Sequence, residues 1–172
     1  MNQNTKSTKL NLGCGTKPLE GYINHDIQKY NSEVDITFDL EKPLYPFKDN
    51  ELDEIYSHHV FEHVRNFIPM VKECYRILKP NGKLIISVPY VRNTGAIANP
   101  LHVNYFDEHS FSAFVEVGNA WQIGLDKALF KLNKIHMKFG TFWPIQWFLW
   151  KSGIFWCGGE IEYELIKLPS TI

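Results

Sequence analysis

Short apolar runs separated by polar turns dominate the first half of the chain, and this pattern predicts buried β-strands. The first four runs are Lys9–Gly15, Gly21–Ile27, Val34–Leu40 and Leu52–Val60. A fifth run, Lys83–Pro89, is almost continuously apolar, as strands inside a parallel sheet usually are. Five residues separate Gly15 from Gly21, whereas a helical crossover takes about a dozen. The first crossover helix is therefore predicted to be absent or one turn long.

Helical spacing of apolar residues is clearest after Asn66, which is predicted to be an N-cap residue. The helix is predicted to end at Lys79–Gly82, where proline and glycine occur together. A second helix is predicted to begin at Asp107 or Ser110 and to continue to about Val117. The polar segment between the fifth strand and this second helix is predicted to be a loop.

Two further strands are predicted near the end of the chain, at Phe130–Phe139 and Ile161–Leu168. The second alternates apolar and acidic residues, as an antiparallel strand at the edge of a sheet would. The whole order predicts an α/β fold: a Rossmann-like, doubly wound, mostly parallel seven-stranded sheet with an antiparallel last strand. Because no repeat or linker interrupts it, residues 1–172 are predicted to form a single domain. Within it, residues 1–8 are interpreted as a flexible polar tail and 141–157 as an aromatic insertion.

Composition and charge exclude several classes of protein. Hydrophobic residues make up 44% and charged residues 22% of the chain, as in ordinary globular proteins. A formal net charge of −1, without a basic stripe, argues against nucleic acid as a partner. The cysteines Cys14, Cys74 and Cys157 lack metal-binding spacing and are predicted to be reduced thiols. Since the N-terminal segment also lacks an apolar signal sequence, a cytoplasmic location is predicted.

In doubly wound sheets, ligands bind beyond the carboxyl ends of the strands. Gly13 and Gly15 follow the first predicted strand, where the lack of side chains lets a ligand approach the backbone. Asp26 ends the second strand, and an acidic residue there can accept from both hydroxyls of a ribose. Pro18 stands where dinucleotide-binding motifs have their third glycine, so a pyrophosphate would lack its helix N-terminus. The pattern therefore indicates a nucleoside-containing ligand other than NAD or FAD.

An ordered series of motifs resembles the class I S-adenosylmethionine-dependent methyltransferases, especially compact members with a reduced first crossover. The series comprises "LNLGCG", the acidic residue that ends the second strand, "FDL", and "HHVFEHV" followed by "CYRILKPNGKLIISVPY". It extends roughly from Leu10 to Phe111. The resemblance implies a Rossmann-like fold, S-adenosylmethionine as cofactor and S-adenosylhomocysteine as product. Because this cofactor carries no phosphate, it does not need the missing helix N-terminus.

The resemblance also implies which residues contact the cofactor. Gly13 and Gly15 would pass beneath the methionine and ribose portions, and Asp26 would hold the ribose hydroxyls. Ile27 would pack on the adenine ring, and Asp39 would accept a hydrogen bond from its amino group. The remaining residues that the family pattern places beside the cofactor are Leu12, Cys14, Leu40, Ser57 and His58.

Methyl transfer needs a general base only when the acceptor atom carries a proton, and histidine suits that role near neutral pH. His58 and His102 are the predicted catalytic residues, although His102 is also consistent with a structural hydrogen bond in its loop. The residues predicted to contact the acceptor are His59, Tyr90, Arg92, His102 and Tyr105. No metal site is predicted, because the histidines lack the short fixed spacings of a zinc site.

The acceptor classes that we predict are a small molecule, a glycan and a lipid-linked precursor. The aromatic run Phe142–Trp156 leaves three interpretations open: a core helix, a lid or homodimer interface, and peripheral contact with a membrane. A catalytically silent binding or regulatory module is the alternative function. An aminopropyltransferase is disfavoured because "SHHVFEHV" lacks an acidic cluster, and an NAD-dependent reductase because the pyrophosphate seat is missing.

Overall fold

The computed structural model describes residues 8–42, 44–139 and 159–169. Its strands are β1 (Lys9–Leu12), β2 (Ile23–Asp26), β3 (Ile36–Thr37), β4 (Leu52–His58), β5 (Leu78–Pro89), β6 (Phe130–Phe139) and β7 (Gly159–Lys167). Over these residues the strands form one sheet in the order β3-β2-β1-β4-β5-β7-β6. β7 runs antiparallel to both of its neighbours, and the pairs from β3 to β5 are parallel. The predicted α/β fold with a mostly parallel seven-stranded sheet is confirmed.

The chain changes direction across the sheet at β1. It first proceeds from β1 through β2 to β3, and then returns so that β4 pairs with the opposite side of β1. The register places Leu12 beside His25 on one side and beside Ser57 on the other. In open α/β sheets such a reversal leaves a crevice beyond the carboxyl ends of the strands, where ligands bind.

Residues 13–22, all of which the structure describes, join β1 to β2 without a helix, as predicted. Two buried asparagines hold this crossover against the sheet. The Asn11 side chain donates to Asn24 Oδ1 at 2.9 Å and to the Lys17 carbonyl at 3.3 Å. The Leu19 amide donates to the same oxygen of Asn24 at 2.8 Å. Side-chain amides thus supply hydrogen bonds that a helix would make within itself.

The helices of the described ranges lie after β4 and after β5. They are α1 (Phe67–Ile77), α2 (Thr94–Ala98), α3 (Ser112–Val115) and α4 (Val117–Ala120), the last followed by a 3₁₀ turn at Trp121–Ile123. The prediction of one helix that runs through Val117 is wrong, because Glu116 has an extended backbone with φ −111° and ψ 123°. That residue ends α3 and precedes α4, so the segment forms short helices.

The two ends of α1 differ in detail from the prediction. Asn66 occupies the N-cap position, but its side chain donates to the Glu41 carbonyl at 2.8 Å and makes no capping hydrogen bond within the described structure. The helix ends at Ile77, and residues 79–82 belong to β5. They accommodate a shift in the register between β4 and β5, and Asn81 has a φ of +64° there.

One face of the sheet packs against α1 through aromatic side chains. The rings of Phe67 in α1 and Phe111 lie with centroids 5.5 Å apart, and Phe111 contacts Tyr163 of β7 at 4.7 Å. The strands contribute buried aliphatic residues to the same core: Leu10, Leu12, Ile55, Leu84, Ile86, Val88, Ile161 and Leu165. This continuous core fixes the ends of the strands relative to α1.

β7 lies inside the sheet, between β5 and β6, so its predicted position at the edge is wrong. The alternation itself is present: Ile161, Tyr163 and Leu165 are buried, and the intervening glutamates are partly exposed. Alternation shows that the two faces of a strand differ, and it does not show whether a further strand pairs with it. The register places Glu160, near the start of β7, beside the end of β5.

Most of the predicted tail (residues 1–7) and the predicted insertion at 141–157 lie outside the described residues. Thr8, the last residue assigned to the tail, exchanges two hydrogen bonds with Asp53. Its amide donates to Oδ2 at 2.7 Å, and its carbonyl accepts from the Asp53 amide at 2.9 Å. None of the helices in the described ranges is long and apolar enough to cross a membrane.

Candidate active site

Two adjoining clefts of the described structure open beyond the carboxyl ends of β1, β2 and β4. The large cleft has a volume of about 650 Å³, and its lining includes Asp26, Ile27, Tyr30, Asp39, Leu40 and Leu101. The small cleft has a volume of about 410 Å³, and its lining includes Asn11, Cys14, Thr16, Lys17, Tyr56 and His58. Gly13, Gly15 and His59 line both clefts. A ligand that fills one cleft therefore reaches the entrance of the other.

The glycine loop after β1 has no room for a side chain at its first position. Gly13 has a φ of +71°, and a Cβ atom there would lie 2.3 Å from Cγ2 of Val60. Gly15 also has a positive φ, +54°, but no described atom lies within 4 Å of its Cβ position. Glycine is therefore required at position 13 both because φ is positive and because a side chain would collide with Val60. At position 15 it is required only because φ is positive.

Two consecutive residues of β2 hold this loop by its backbone. The Gly13 amide donates to Nδ1 of His25 at 3.2 Å, and the Gly15 amide donates to Oδ2 of Asp26 at 2.7 Å. Nε2 of His25 lies 3.0 Å from the Phe38 carbonyl. Burial lowers the pKa of His25, so the ring is neutral with its proton on Nε2. His25 was not identified from the sequence. The signal that could have identified it was a polar residue inside a strand predicted to be buried.

The acidic residues of the large cleft keep lone pairs available for a ligand. Asp26 is 9% exposed, and its Oδ1 accepts from the Ile27 amide at 2.7 Å. A carboxylate offers about four acceptor positions, so roughly two of them remain after the two amide contacts. Asp39 accepts from the Glu41 amide at 3.0 Å. Ile27 and Tyr30 are 63% and 54% exposed in the same cleft, and Tyr30 was not identified from the sequence.

Three residues predicted beside the cofactor have buried side chains, and their contact with it stays a prediction. The side chains of Leu12 and Ser57 are fully buried, and the Ser57 hydroxyl donates to the Leu12 carbonyl at 3.3 Å. Neither residue belongs to the described lining of the large or the small cleft. Cys14 lines the small cleft, where burial and the charge of Asp26 raise the pKa of its thiol. That thiol is therefore protonated near neutral pH.

The end of β4 brings two histidines together with a carboxylate from β7. Nε2 of His58 lies 3.5 Å from one oxygen of Glu160, and Nε2 of His59 lies 2.9 Å from the other. Nδ1 of His59 lies 2.9 Å from Oε1 of Glu62, and the Ser87 hydroxyl donates to Glu160 at 3.0 Å. His58, His59 and Glu160 are called the histidine–carboxylate cluster. Glu160 was not identified from the sequence, because 101 positions separate it from His59 and no local motif connects them.

The members of this cluster shift one another's pKa values. Partial burial and the neighbouring His59 lower the pKa of His58, which is therefore neutral near pH 7. The hydrogen bond to Glu62, together with the one to Glu160, raises the pKa of His59 despite its partial burial. Burial alone would raise the pKa of Glu160, but hydrogen bonds from His59 and Ser87 outweigh it and lower that pKa. The cluster thus combines a neutral imidazole with an ionised carboxylate.

The predicted catalytic residue His102 is not part of this cluster. Its Nδ1 lies 2.7 Å from the Ala96 carbonyl, and its Nε2 lies 3.0 Å from Nδ2 of Asn99. Both ring nitrogens therefore have partners within their own loop, as the structural interpretation of His102 expects. The ring contacts that of His63, with centroids 4.8 Å apart. A catalytic role for His102 stays a prediction.

The other residues predicted to contact the acceptor line neither the large nor the small cleft of the described structure. Tyr90 is buried, and its hydroxyl donates to the carboxylate of Glu108 at 3.2 Å. Arg92 is exposed. Tyr105 is half exposed, and its hydroxyl donates to the His102 carbonyl at 3.4 Å. Their contact with an acceptor stays a prediction.

Comparison with known proteins finds a match to the family described as a methyltransferase domain, over residues 10–86. The chain is also 32% identical, over 82 residues, to the highly reducing polyketide synthase resH of Aspergillus sclerotiorum. That match covers 48% of this chain and 3% of the synthase, so the chain spans a small part of this curated relative's length.

Solved structures share the fold over nearly the whole chain. A Haloferax volcanii methyltransferase in complex with the Trm112 methyltransferase activator has a TM-score of 0.65 at 14% identity, covering 97% of this chain and 84% of the other. An S-adenosylmethionine-dependent methyltransferase from Mesorhizobium loti has a TM-score of 0.65 at 11% identity, covering 94% and 91%. Phosphoethanolamine N-methyltransferase 2 of Haemonchus contortus, in complex with S-adenosyl-L-methionine, has a TM-score of 0.59 at 16% identity, covering 96% and 49%.

At these identities the solved structures establish the fold alone. The family match covers residues 10–86, and every described lining residue of the two clefts except Leu101 lies in that range. Residues 10–86 therefore match a methyltransferase domain, and the chain shares the fold of solved S-adenosylmethionine-dependent methyltransferases.

Proposed function

We propose that this chain binds S-adenosylmethionine in the large cleft and transfers its methyl group to an acceptor in the small cleft. The observation that carries the proposal is the placement of Asp26, Asp39 and the glycine loop around one cleft. Its volume of about 650 Å³ is typical of a small-molecule site.

The two carboxylates of the large cleft suit the two polar parts of an adenosine. Asp26 retains roughly two acceptor positions, enough for the two hydroxyls of a ribose. Asp39 would accept a hydrogen bond from the amino group of adenine. Ile27 and Leu40 supply apolar surface for the faces of the base, and the exposed ring of Tyr30 supplies further stacking surface.

The glycine loop is poorly suited to a phosphate. The amides of Gly13 and Gly15 already donate to His25 and Asp26, so they are not free to bind an anion. The charge of Asp26 would also repel a phosphate. Residues 13–22, which are fully described, contain no helix whose N-terminus could bind a pyrophosphate. These features favour a nucleoside without phosphates, and a sulfonium cation suits the negative cleft.

In the proposed reaction, a lone pair of the acceptor forms a bond to the methyl carbon while the carbon–sulfur bond breaks. The electron pair of that bond stays on sulfur, and S-adenosylhomocysteine is the product. Orientation of two reactants is worth up to about 7–11 kcal/mol in intramolecular reactions, so alignment is the main task of the site. His58 and His59 line the small cleft, and His59 also lines the large one. We place the acceptor atom beside them.

The small cleft favours a polar acceptor, because Asn11, Lys17, Tyr56 and His58 offer it hydrogen-bonding groups. A small metabolite or a glycan with hydroxyl or carboxylate oxygens fits this lining, as does the polar head of a lipid-linked precursor. The net charge of −1 provides no electrostatic attraction for a nucleic acid. The run Phe142–Trp156 lies outside the described residues, so its contact with a membrane or a second copy stays a prediction.

Calorimetric titration with S-adenosylhomocysteine tests the cofactor assignment, with NAD as the control titrant. Saturable one-to-one binding of the first is expected, and none of the second.

Asp39→Asn, which keeps an oxygen for the Glu41 amide, should weaken binding about tenfold, since a hydrogen bond to a charged group contributes about 1.5–3 kcal/mol. Asp126→Asn removes an exposed carboxylate that lines neither described cleft and serves as the matched control. Failure of the unaltered protein to bind either ligand would contradict the proposal and favour the silent binding module.

A further inference from the structure

The histidine–carboxylate cluster has the geometry of a metal site. One nitrogen of His58, one of His59 and a carboxylate oxygen of Glu160 all lie within 4.8 Å of one another. The nitrogen–oxygen separations, each to a different oxygen of Glu160, are 3.5 Å from His58 and 2.9 Å from His59. With metal–ligand bonds of about 2.1 Å, two ligand atoms on one ion lie roughly 3.0–3.4 Å apart. The observed separations bracket that range, so small side-chain rotations would bring all three groups onto one ion.

The backbone at the end of β4 is what allows two adjacent histidines to converge. Neighbouring residues of a strand normally point to opposite faces of a sheet. His59 has a φ of +57°, a left-handed conformation that is uncommon for residues other than glycine. This turn brings the two rings edge to face, with centroids 4.3 Å apart. Unfavourable backbone conformations of this kind concentrate at functional sites.

Two further side chains orient the three groups, as outer partners do around metal ions. Glu62 is 1% exposed and lies 2.9 Å from Nδ1 of His59, which leaves Nε2 directed towards Glu160. The second oxygen of Glu62 has no hydrogen-bond partner among the described residues. The Ser87 hydroxyl, from β5, donates to Glu160 at 3.0 Å. A buried carboxylate behind a histidine is the usual arrangement that fixes the tautomer of a metal-binding ring.

We propose that His58, His59 and Glu160 bind a divalent transition-metal ion at the small cleft. Two imidazole nitrogens and one carboxylate favour ions such as Zn²⁺, Co²⁺ or Fe²⁺ over Mg²⁺ and Ca²⁺, which prefer sites made of oxygen ligands. Three protein ligands leave coordination positions open, as in catalytic rather than structural sites. The three side chains are 31% to 36% exposed, so an ion can reach them.

An ion held here would take an oxygen of the acceptor into its open positions. A bound hydroxyl loses its proton to water more readily, because the cation stabilises the negative oxygen. The ion would in that way favour hydroxyl or carboxylate acceptors, and His58 would serve as a ligand rather than as a base. This role at the acceptor rests on the proposed function, whereas metal binding itself does not.

The test uses the full chain, stripped of metal by a chelator and then titrated with Co²⁺ and, separately, with Zn²⁺. One-to-one binding is expected, with visible absorption bands for Co²⁺ that Zn²⁺ abolishes. His58→Ala and Glu160→Gln should each weaken Zn²⁺ binding by more than about tenfold, and Glu62→Gln by about tenfold, as loss of an outer partner does. His109→Ala removes an exposed histidine outside the cluster and is the matched control. Glu160→Asp keeps the carboxylate and should retain part of the affinity.

The 2.9 Å separation also fits a proton shared between His59 and Glu160, so two results would overturn the proposal. One is the absence of saturable binding to the unaltered protein. The other is binding that His58→Ala and Glu160→Gln leave unchanged while thermal denaturation shows both variants to be folded. Titration with S-adenosylhomocysteine separates this proposal from the previous one. Metal binding without cofactor binding would contradict the proposed methyltransferase function and support the metal site. Cofactor binding without metal binding would support the proposed function and contradict the metal site.

Discussion

The large cleft and the histidine–carboxylate cluster lie at the same edge of the sheet but are held in different ways. In the large cleft, His25 and Asp26 of β2 bind backbone amides of the glycine loop, at 3.2 Å and 2.7 Å. In the cluster, the contacts join side chains that are 31% to 36% exposed. Backbone contacts cannot change without moving the ends of the strands, whereas side chains can change rotamer. The large cleft is therefore preformed, and the cluster can adjust to what it binds.

The largest effect is expected from a substitution in the preformed region. Gly13→Ala combines a φ of +71° with a Cβ atom 2.3 Å from Val60. Binding of S-adenosylhomocysteine should be lost, and the free energy of unfolding should fall by about 1–3 kcal/mol or more. Calorimetry and thermal denaturation measure the two effects.

Two further variants separate the two causes of the lost stability at Gly13, the positive φ and the contact with Val60. Gly21→Ala has a φ of +80° but no described atom within 4 Å of the new Cβ, so it measures the conformational part alone. Adding Val60→Ala to Gly13→Ala should recover part of the stability by removing the contact. Equal damage from Gly21→Ala, or no recovery with Val60→Ala, would show that the contact with Val60 is unimportant.

The next largest effect is expected from a pair of matched carboxylate-to-amide changes, one in each region. Asp26→Asn should weaken binding of S-adenosylhomocysteine by about tenfold or more, because it removes charge from hydrogen bonds worth about 1.5–3 kcal/mol. Glu160→Gln should change that affinity by no more than about twofold, because in the described structure Glu160 contacts His58, His59 and Ser87 but neither Asp26 nor the glycine loop. Calorimetric titration of both variants is the measurement. A similar loss of affinity in the two variants would show that the large cleft and the histidine–carboxylate cluster are energetically coupled.

A smaller effect is expected on the free energy of unfolding at acidic pH, because His25 is protonated there. Burial lowers the pKa of this ring in the folded protein, so the unfolded chain binds a proton at a higher pH than the folded chain does. The free energy of unfolding should therefore be unaffected by His25 well above its unfolded pKa of about 6.5. Below that pH it should fall, by up to about 1.4 kcal/mol per pH unit, until the folded ring is also protonated.

The comparison for this prediction is His25→Asn, whose side-chain oxygen can accept from the Gly13 amide without titrating. Thermal and denaturant unfolding from about pH 8 to about pH 5.5 give the difference between the two proteins, in which the other titrating groups cancel. Parallel stability profiles would show that His25 is not kept neutral by the fold.

The smallest effect is expected at the wall of the large cleft. Tyr30 is 54% exposed, so Tyr30→Ala should leave the unfolding free energy nearly unchanged. Loss of stacking should weaken binding of S-adenosylhomocysteine by about two- to tenfold, equivalent to about 0.5–1.5 kcal/mol. Trp121→Ala removes another aromatic ring, 73% exposed and outside both described clefts, and should not change the affinity. Equal affinities for the Tyr30 and Trp121 variants would remove Tyr30 from the cofactor wall.

The parallel strands and the reduced first crossover could be predicted because their signals are local. Each strand is a short apolar run bounded by turn residues, and the spacing between Gly15 and Gly21 leaves no room for a helix. Features that depend on neighbours were predicted wrongly. Whether β7 lies at an edge depends on β6 pairing with it, and the extended backbone of Glu116 interrupts a segment that favours helix.

The same distinction separates the two regions of the site. Half of the residues that line the large cleft could be named from the sequence, because Gly13, Asp26 and Asp39 lie at the ends of consecutive strands, and these ends must meet at one edge of a parallel sheet. His58 and His59 were also named from the sequence, but their assembly with Glu160 was not, because adjacent histidines in a strand should diverge and Glu160 lies 101 positions beyond His59. The left-handed turn at His59 and the register between β5 and β7 bring the three together. Those features arise only when distant strands pair, since strand register is set by packing of the whole sheet rather than by any one segment.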